Sequence, residues 1–368
     1  AGGTDFATEF FKGFATTAPA YEAWAWFAFA IALSAVIIFR GIQGGIETAN
    51  KIMIPAVFIL LAALLVRVVM LPGAWKGFEY MFHVDPKDFL NPRIWLAAFT
   101  QAAWSSGAGW GMFHVYYVYA AKDEDIELNS FTVTFGDMVA AMLAGMVVLP
   151  AVFALSPDPQ AVMKAGANGL TFVHLTNLFA HTSGGFVMAV LFFLALFSAA
   201  LSSVIAMLET GTRNLIDMGF SRVKATMCVA IFFLFVGSFS ALDNRVFENQ
   251  DMVWGVGLLV VGLIYSLASL KYGVDKLWEE DIKPCSDINV KWMWSCIKFF
   301  PFEFAFVWGW WMWDAASWYP GEWFKFWPIT KYQYTPGSMV VEWGIIALIC
   351  LMLNGFISKR LVHSNKID

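Results

Sequence analysis

Long apolar stretches, separated by charged or Gly/Pro-rich breaks, dominate the pattern of the chain. A helix needs roughly 20 consecutive apolar residues to cross a bilayer. The sequence predicts nine such runs, at about 21–41, 49–71, 96–120, 128–155, 184–217, 221–242, 252–272, 296–316 and 338–359. The period-2 alternation of an outer-membrane barrel is absent. Residues 160–180 form a short amphipathic stretch, too polar to cross. The third run differs from the others, because its middle reads Trp104-Ser105-Ser106-Gly107-Ala108-Gly109-Trp110-Gly111. Each glycine costs a helix about 1 kcal/mol relative to alanine. Broken backbone at membrane depth is tolerated only where protein buries it or a watery cavity lines it. A break of this kind is the best pointer in a sequence to a carrier's binding site. The pattern therefore predicts an all-α integral membrane protein, about nine transmembrane helices with one discontinuous.

Composition agrees. The 368 residues are 59% hydrophobic and 14% charged, with a mean hydropathy of +0.64, against roughly 25% charged in soluble domains. The net charge of −5 is spread along the loops, which gives no reason to expect a nucleic-acid partner. Cys228, Cys285, Cys296 and Cys350 show no paired spacing, so free thiols are expected rather than a metal cluster. His114, on the broken run, reads as a hydrogen-bonded packing residue. No nucleophile with a base and no phosphate loop appears, and the glycines at 107–111 follow no strand. The chain is not expected to be an enzyme or to hold an organic cofactor.

Lys and Arg near the span ends set orientation. Arg40, Lys51, Arg213, Arg222, Lys224, Lys271, Lys276, Lys283, Lys359, Arg360 and Lys366 fall on one side when nine spans are counted. That side is read as cytoplasmic, which puts the C-terminus inside and the N-terminus outside a cell (inner) membrane. The tryptophans at 308, 310, 311, 313, 318, 323 and 327 read as an interfacial belt. The chain begins at Ala1 without Met or a secretory signal, so a preceding part is expected to be lost, cleaved, separately encoded or left out.

Several linked motifs carry a resemblance. Gly44-Gly45-Ile46-Glu47 with Lys51-Ile52-Met53-Ile54-Pro55, then Val66-Arg67 to Leu71-Pro72-Gly73, resembles the fourth-to-fifth helix junction and its sequel in the neurotransmitter:sodium symporter family. The break at 104–111 is similar to that family's discontinuous sixth helix, and Lys122-Asp123-Glu124-Asp125-Ile126 to the loop after it. Asp137 with Ala144-Gly145 and Pro150 resembles the seventh helix of bacterial members. Lys164-Ala165-Gly166 to Gly169-Leu170, then Thr182-Ser183-Gly184-Gly185, resembles the large outer loop. Ala199-Ala200-Leu201-Ser202-Ser203 resembles the sodium-binding stretch of the eighth helix. The match runs in order from about residue 30 to 280, and the last two spans match only as hydrophobic helices. The implied fold is the inverted-repeat, leucine-transporter-like sodium symporter fold, N-terminally truncated, with the first three helices absent. The expected organisation is an extracytoplasmic segment (1–20), two spans of the first repeat (21–72) and an outer loop (73–95). The second repeat with the site (96–272) follows, then two spans and a cytoplasmic tail (273–368).

The candidate site follows residue by residue. Sodium needs hard oxygen ligands, and an unwound helix supplies carbonyls and helix-end dipoles. Ser105 is the hydroxyl at the break. An ionised Asp137 within a span costs about 2.5–3.5 kcal/mol and needs a partner. The resemblance implies that both ligate a first sodium; a hydrogen bond to a neighbouring helix is the alternative for Asp137. It likewise implies a second sodium on Ala199, Ser202 and Ser203, where serines alone read as backbone-bonded packing residues. By the same carry-over Trp104, Ser105, Gly107, Trp110, Ser203 and Met207 line a pocket for a zwitterionic amino acid or similar amine. Trp104 and Trp110 are bulkier than the family's usual Phe; they shrink the pocket, act as lids, or fill a site that binds nothing. Tyr119, Asp217 and Asp251 match gate positions, where the family's partner arginines lie in the first-helix region and have no counterpart here. Ala141 supplies neither the serine nor the acid associated with chloride dependence or independence.

Two functions compete. One is sodium-coupled symport by alternating access, with a further chain or segment supplying the first three helices and the lipid bilayer as solvent. The other is a degenerate transporter that serves as a non-transporting structural subunit of a membrane complex, which the truncation and the pocket tryptophans favour.

Overall fold

The computed structural model describes residues 8–107, 109–121, 124–164 and 166–364. Ala108, Lys122, Asp123, Ala165, Lys366 and the first seven residues of the expected leading segment lie outside the described residues. Among the described residues every regular element is helical. Helices α1 (Tyr21–Phe39), α2 (Thr48–Val69), α3 (Ala74–Phe82), α4 (Pro92–Ser105), α5 (Met112–Tyr117) and α6 (Ile126–Leu155) come first. They are followed by α7 (Gly185–Asp217), α8 (Arg222–Leu242), α9 (Asn244–Tyr272), α10 (Phe300–Trp318) and α11 (Pro336–Ser364).

Seven helices among the described residues are long and apolar enough to cross a membrane: α1, α2 with the turns before it from Ile42, α6, α7, α8, α9 and α11. The other two expected runs take different forms. The third is the pair α4 and α5. The eighth is α10, a 19-residue tryptophan-rich helix that also carries Glu303 and Asp314. The largest boundary difference is at α9, which begins at Asn244 and not at residue 252. Its first two turns are polar and read as loop. They stay helical because their side chains have partners: Asn249 Nδ2 donates to the Gln333 carbonyl at 2.9 Å, Gln250 Nε2 to Glu342 at 2.8 Å, and the Tyr334 hydroxyl to Glu248 at 2.8 Å.

The chain forms two compact units. One comprises the described residues up to Pro86, with Met138–Gly211 and Arg222–Asn244; the other comprises Lys87–Asp137, Thr212–Ser221 and the described residues from Arg245. In the first unit α1 lies along α8. Phe27 fills the space where Gly237 lacks a side chain, and Trp24 Nε1 donates to Ser238 Oγ at 2.7 Å. The core of that unit gathers Leu64, Val68, Leu71, Ala74, Val147, Ala151, Val152, Phe179, Met188 and Phe192. Helix α3 docks on α6 where the Ala144-Gly145 and Pro150 motif stands. A Cβ on Gly77 would come within 2.4 Å of Pro150 Cα, and Met81 lies over Gly145. Helices α7 and α8 approach at Gly211, which meets Val229.

Beside that contact, Arg222 donates from both terminal nitrogens to Glu209, at 3.0 and 3.1 Å, and the Glu209 side chain is fully buried. Removing one partner of such a pair leaves a buried charge and costs about 3 kcal/mol or more. Arg222→Met should therefore lower the thermal midpoint of the detergent-solubilised protein sharply. Glu209→Met on top of Arg222→Met should recover most of the loss, which a thermal-unfolding comparison of the two variants checks.

Candidate functional site at the helix break

The segment at 104–111 is broken. Helix α4 starts cleanly: Asn91 caps it by accepting the Arg93 N–H at 3.1 Å, with Pro92 at its first position. It ends at Ser105, and α5 begins at Met112. Between them Gly107, Gly109 and Gly111 all take left-handed backbone, with φ of +73°, +82° and +79°. A residue with a Cβ loses about 1–2 kcal/mol in that conformation, and glycine loses nothing. The glycines that weaken a continuous helix are thus the residues the break requires.

Helix α9 is the bed for the break. A Cβ on Gly109 would stand 2.7 Å from the Leu258 carbonyl, so the linker backbone lies directly on the helix. Gly111 faces the Tyr265 hydroxyl, and the His114 ring stacks on Tyr265 with centroids 4.4 Å apart and planes 12° apart. His114 is a packing residue held by ring stacking, and among the described residues no hydrogen bond engages its ring. Elsewhere in this unit α10 supports α4: Trp311 Nε1 donates to Thr100 Oγ1 at 2.9 Å, and Leu96, Leu259 and Val307 form a small core with Trp310 and Trp311 around it. Those two tryptophans, read from sequence as part of an interfacial belt, are packing residues against α4 and α9.

Three groups of candidate residues are brought together, each within one unit. Ser105 Oγ donates to Asp137 Oδ2 at 2.8 Å, which joins the end of α4 to the middle of α6. Among the described residues no ion pair engages Asp137. A hydroxyl and a carboxylate oxygen at this separation are close enough to share one cation, once the hydroxyl turns its proton away and offers a lone pair. In the other unit, Ser202 and Ser203 both donate to the Ala199 carbonyl, at 2.8 and 3.3 Å. Three oxygens converge there while both hydroxyl lone pairs stay available. Met207 follows Ser203 by one turn on the same face of α7.

The third group joins α7 to the segment after α5. Asp217, the last residue of α7, pairs with Arg213 one turn earlier, and the Arg213 guanidinium lies 5.3 Å from the centre of the Tyr119 ring. Asp217 thus finds its arginine on its own helix. The sequence reading did not pair Arg213 with these candidates, although the i, i+4 spacing to Asp217 signals the contact. Asp251 stands two turns inside α9, not at its end, and among the described residues no hydrogen bond or ion pair engages it. Trp104 and Trp110 meet edge-on across the break, with centroids 5.0 Å apart and planes 64° apart. Next to the site's loop, the backbone N–H groups of Leu128 and then Asp287 hold the Asp125 carboxyl below the usual carboxylate range.

The backbone geometry yields a prediction. Gly219 is also left-handed, at φ +92°, but nothing lies within 4 Å of a Cβ placed there. Gly219→Ala should lose only the backbone preference, about 1–2 kcal/mol. Gly109→Ala adds a collision with the Leu258 carbonyl and should lower the thermal midpoint considerably further, as parallel melting curves of the two variants would reveal.

Comparison with known proteins bears on these groups. A family model described as the sodium:neurotransmitter symporter family matches residues 20–364. An uncharacterized sodium-dependent transporter of Methanocaldococcus jannaschii is 33% identical over 272 residues, covering 71% of this chain and 55% of that protein. The sodium- and chloride-dependent glycine transporter 2 of Xenopus laevis is 24% identical over 339 residues, covering 87% and 41%. The chain therefore spans about half the length of the curated relatives it matches, or less. In structure it is similar to MhsT crystallised in complex with L-phenylalanine, with a TM-score of 0.68, 26% identity, and coverage of 82% of this chain and 70% of that one.

Proposed function

The chain belongs to the sodium:neurotransmitter symporter family, a family of sodium-coupled membrane transporters and not of enzymes, and from that premise we propose that it provides the ion- and substrate-binding repeat of a sodium-coupled symporter for an amino acid or related small amine. The observation that carries the reading is the Ser105–Asp137 hydrogen bond at the end of a helix broken inside a membrane-length run. A carboxylate on a spanning helix, with a neutral hydroxyl as partner and no cationic side chain on it among the described residues, is suited to a cation that comes and goes. Ser105 and Asp137 serve the first sodium; the Ala199 carbonyl with Ser202 and Ser203 serves the second. The proposed substrate contacts are Trp104, Ser105, Gly107, Trp110, Ser203 and Met207. The carbonyl-rich end of α4 favours the ammonium group or the ion, and the indoles favour an apolar side chain.

In this reading sodium binding turns the Ser105 hydroxyl from donor to ligand, orders the break, and stabilises the substrate-ready state. Tyr119 and Asp217, clamped by Arg213, act on the cytoplasmic side, and Asp251 on the outer side of a cell (inner) membrane. The C-terminus is cytoplasmic. The remaining ligands belong to the part of the family's length that this chain does not cover. A second reading, a non-transporting subunit, is favoured by the Trp104–Trp110 contact, since each ring has a partner without any substrate.

Sodium-dependent binding separates the two. The purified protein should gain thermal stability from an amino acid only when sodium, and not potassium, is present. Asp137→Asn should weaken the sodium dependence tenfold or more, a loss of about 1.4 kcal/mol, and Ser202→Ala with Ser203→Ala should do the same. Stability indifferent to sodium and to every amino acid tried would leave the subunit reading in place of the carrier.

A further inference from the structure

We propose that the side-chain volume at position 255, on α9, sets the largest substrate the carrier accepts, because Gly255 receives the indole of Trp104. This rests on the assignment of Trp104 to the substrate pocket made above. Gly255, Leu258, Gly262 and Tyr265 follow one another at steps of three, four and three residues, so they share one face of α9. The broken segment lies along that face in chain order. Trp104 meets Gly255, with ring atoms Cζ3 and Cε3 at 3.6 and 3.8 Å from where a Cβ would stand. Gly109 then meets the Leu258 carbonyl, Gly111 faces Tyr265, and His114 stacks on Tyr265.

The last three contacts involve backbone or a stacked ring, so the segment as a whole is fixed along α9. The Trp104 side chain is the part left to adjust. Its indole meets both Gly255 and Trp110, the latter with 5.0 Å between ring centroids. A methyl group at 255 reaches ordinary contact at 3.6 Å and leaves the ring in place. Carbons beyond it stand about 1.5 Å further out and overlap the ring. The indole then has to move off α9, and the wall that Trp104 gives the proposed pocket moves with it. One methylene in an apolar pocket changes discrimination by roughly 10- to 200-fold. Position 255 therefore acts on specificity through Trp104, as a positioning residue that does not itself touch substrate.

The test measures binding of glycine, L-alanine, L-leucine and L-phenylalanine, in sodium, to the purified full chain. Gly255→Ala should keep the wild-type order of preference. Gly255→Val should shift the preference at least tenfold toward the smaller side chains, and Trp104→Phe added to Gly255→Val should reverse the shift. Should Gly255→Val fail to fold, Gly255→Cys can be purified and then enlarged with a methyl or a propyl thiosulfonate, with the wild type treated alike as the background for the native cysteines. The propyl adduct should reproduce the shift. A folded Gly255→Val or propyl adduct that keeps the wild-type order overturns the inference and leaves the proposed carrier function standing. A wild type that binds none of the four in sodium overturns both.

Discussion

Backbone that leaves a helix within an apolar segment must find partners and cover in the protein. Here local turns, Gly107 N–H to the Trp104 carbonyl and Trp110 N–H to the Gly107 carbonyl, supply part of the pairing, and α9 supplies the surface on which the linker lies. Gly107, Gly109 and Gly111 adopt the left-handed conformation that lets the linker turn, and the missing Cβ of Gly109 lets it lie on the Leu258 carbonyl. An unpaired backbone group in hydrocarbon costs several kcal/mol, so an opening of this kind persists only against a fitted surface. The supports then follow in order. Trp311 holds α4 at Thr100, and Tyr265 holds α5 through His114. With both ends fixed, the hydroxyl of Ser105 is left at the break, where it bonds Asp137.

Comparison of the acidic groups shows why Asp137 stands apart. Glu209 is fully buried, but a bidentate guanidinium neutralises it. Such a closed pair offers nothing to a ligand and serves packing between α7 and α8. Asp217 has Arg213 one turn away, over Tyr119. Among the described residues Asp137 has a single neutral donor, Ser105. A neutral hydroxyl contributes roughly 0.5–1.5 kcal/mol net, up to about 3 to a charged acceptor. That is comparable with the cost of the charge on a spanning helix, and it leaves the charge itself uncancelled. The asymmetry distinguishes a carboxylate that holds the fold from one that can hold an ion.

Much of this was legible in the sequence because its causes are local. Three glycines with two serines in an apolar run disfavour continuous helix whatever surrounds them, and the break is where the composition puts it. Ser105 and Asp137 stood out as polar groups at and beside the break, while Ala199, Ser202 and Ser203 stood out only through the resemblance to the family. What escaped the reading depends on distant partners. The polar start of α9 reads as loop until Gln333, Tyr334 and Glu342 are seen to satisfy it. Trp311 reads as an interfacial anchor until Thr100 is found beneath its indole nitrogen. Leu258 carries no signal of its role, since it contributes a carbonyl oxygen and any residue has one. Arg213 is the exception, as its spacing to Asp217 is visible in the chain.

The two tryptophans at the break carry the strongest objection to a carrier, and their geometry weakens it. A plug would place both rings flat across the opening. Here they meet edge-on, and the six-membered ring of Trp104 rests in the space left by Gly255. The Trp104 indole is drawn against α9. Its large apolar surface is then satisfied partly by α9 and partly by Trp110. A helix whose only duty was to pack would have no need to leave residue 255 without a side chain at the place where the bulkiest ring of the break comes to lie.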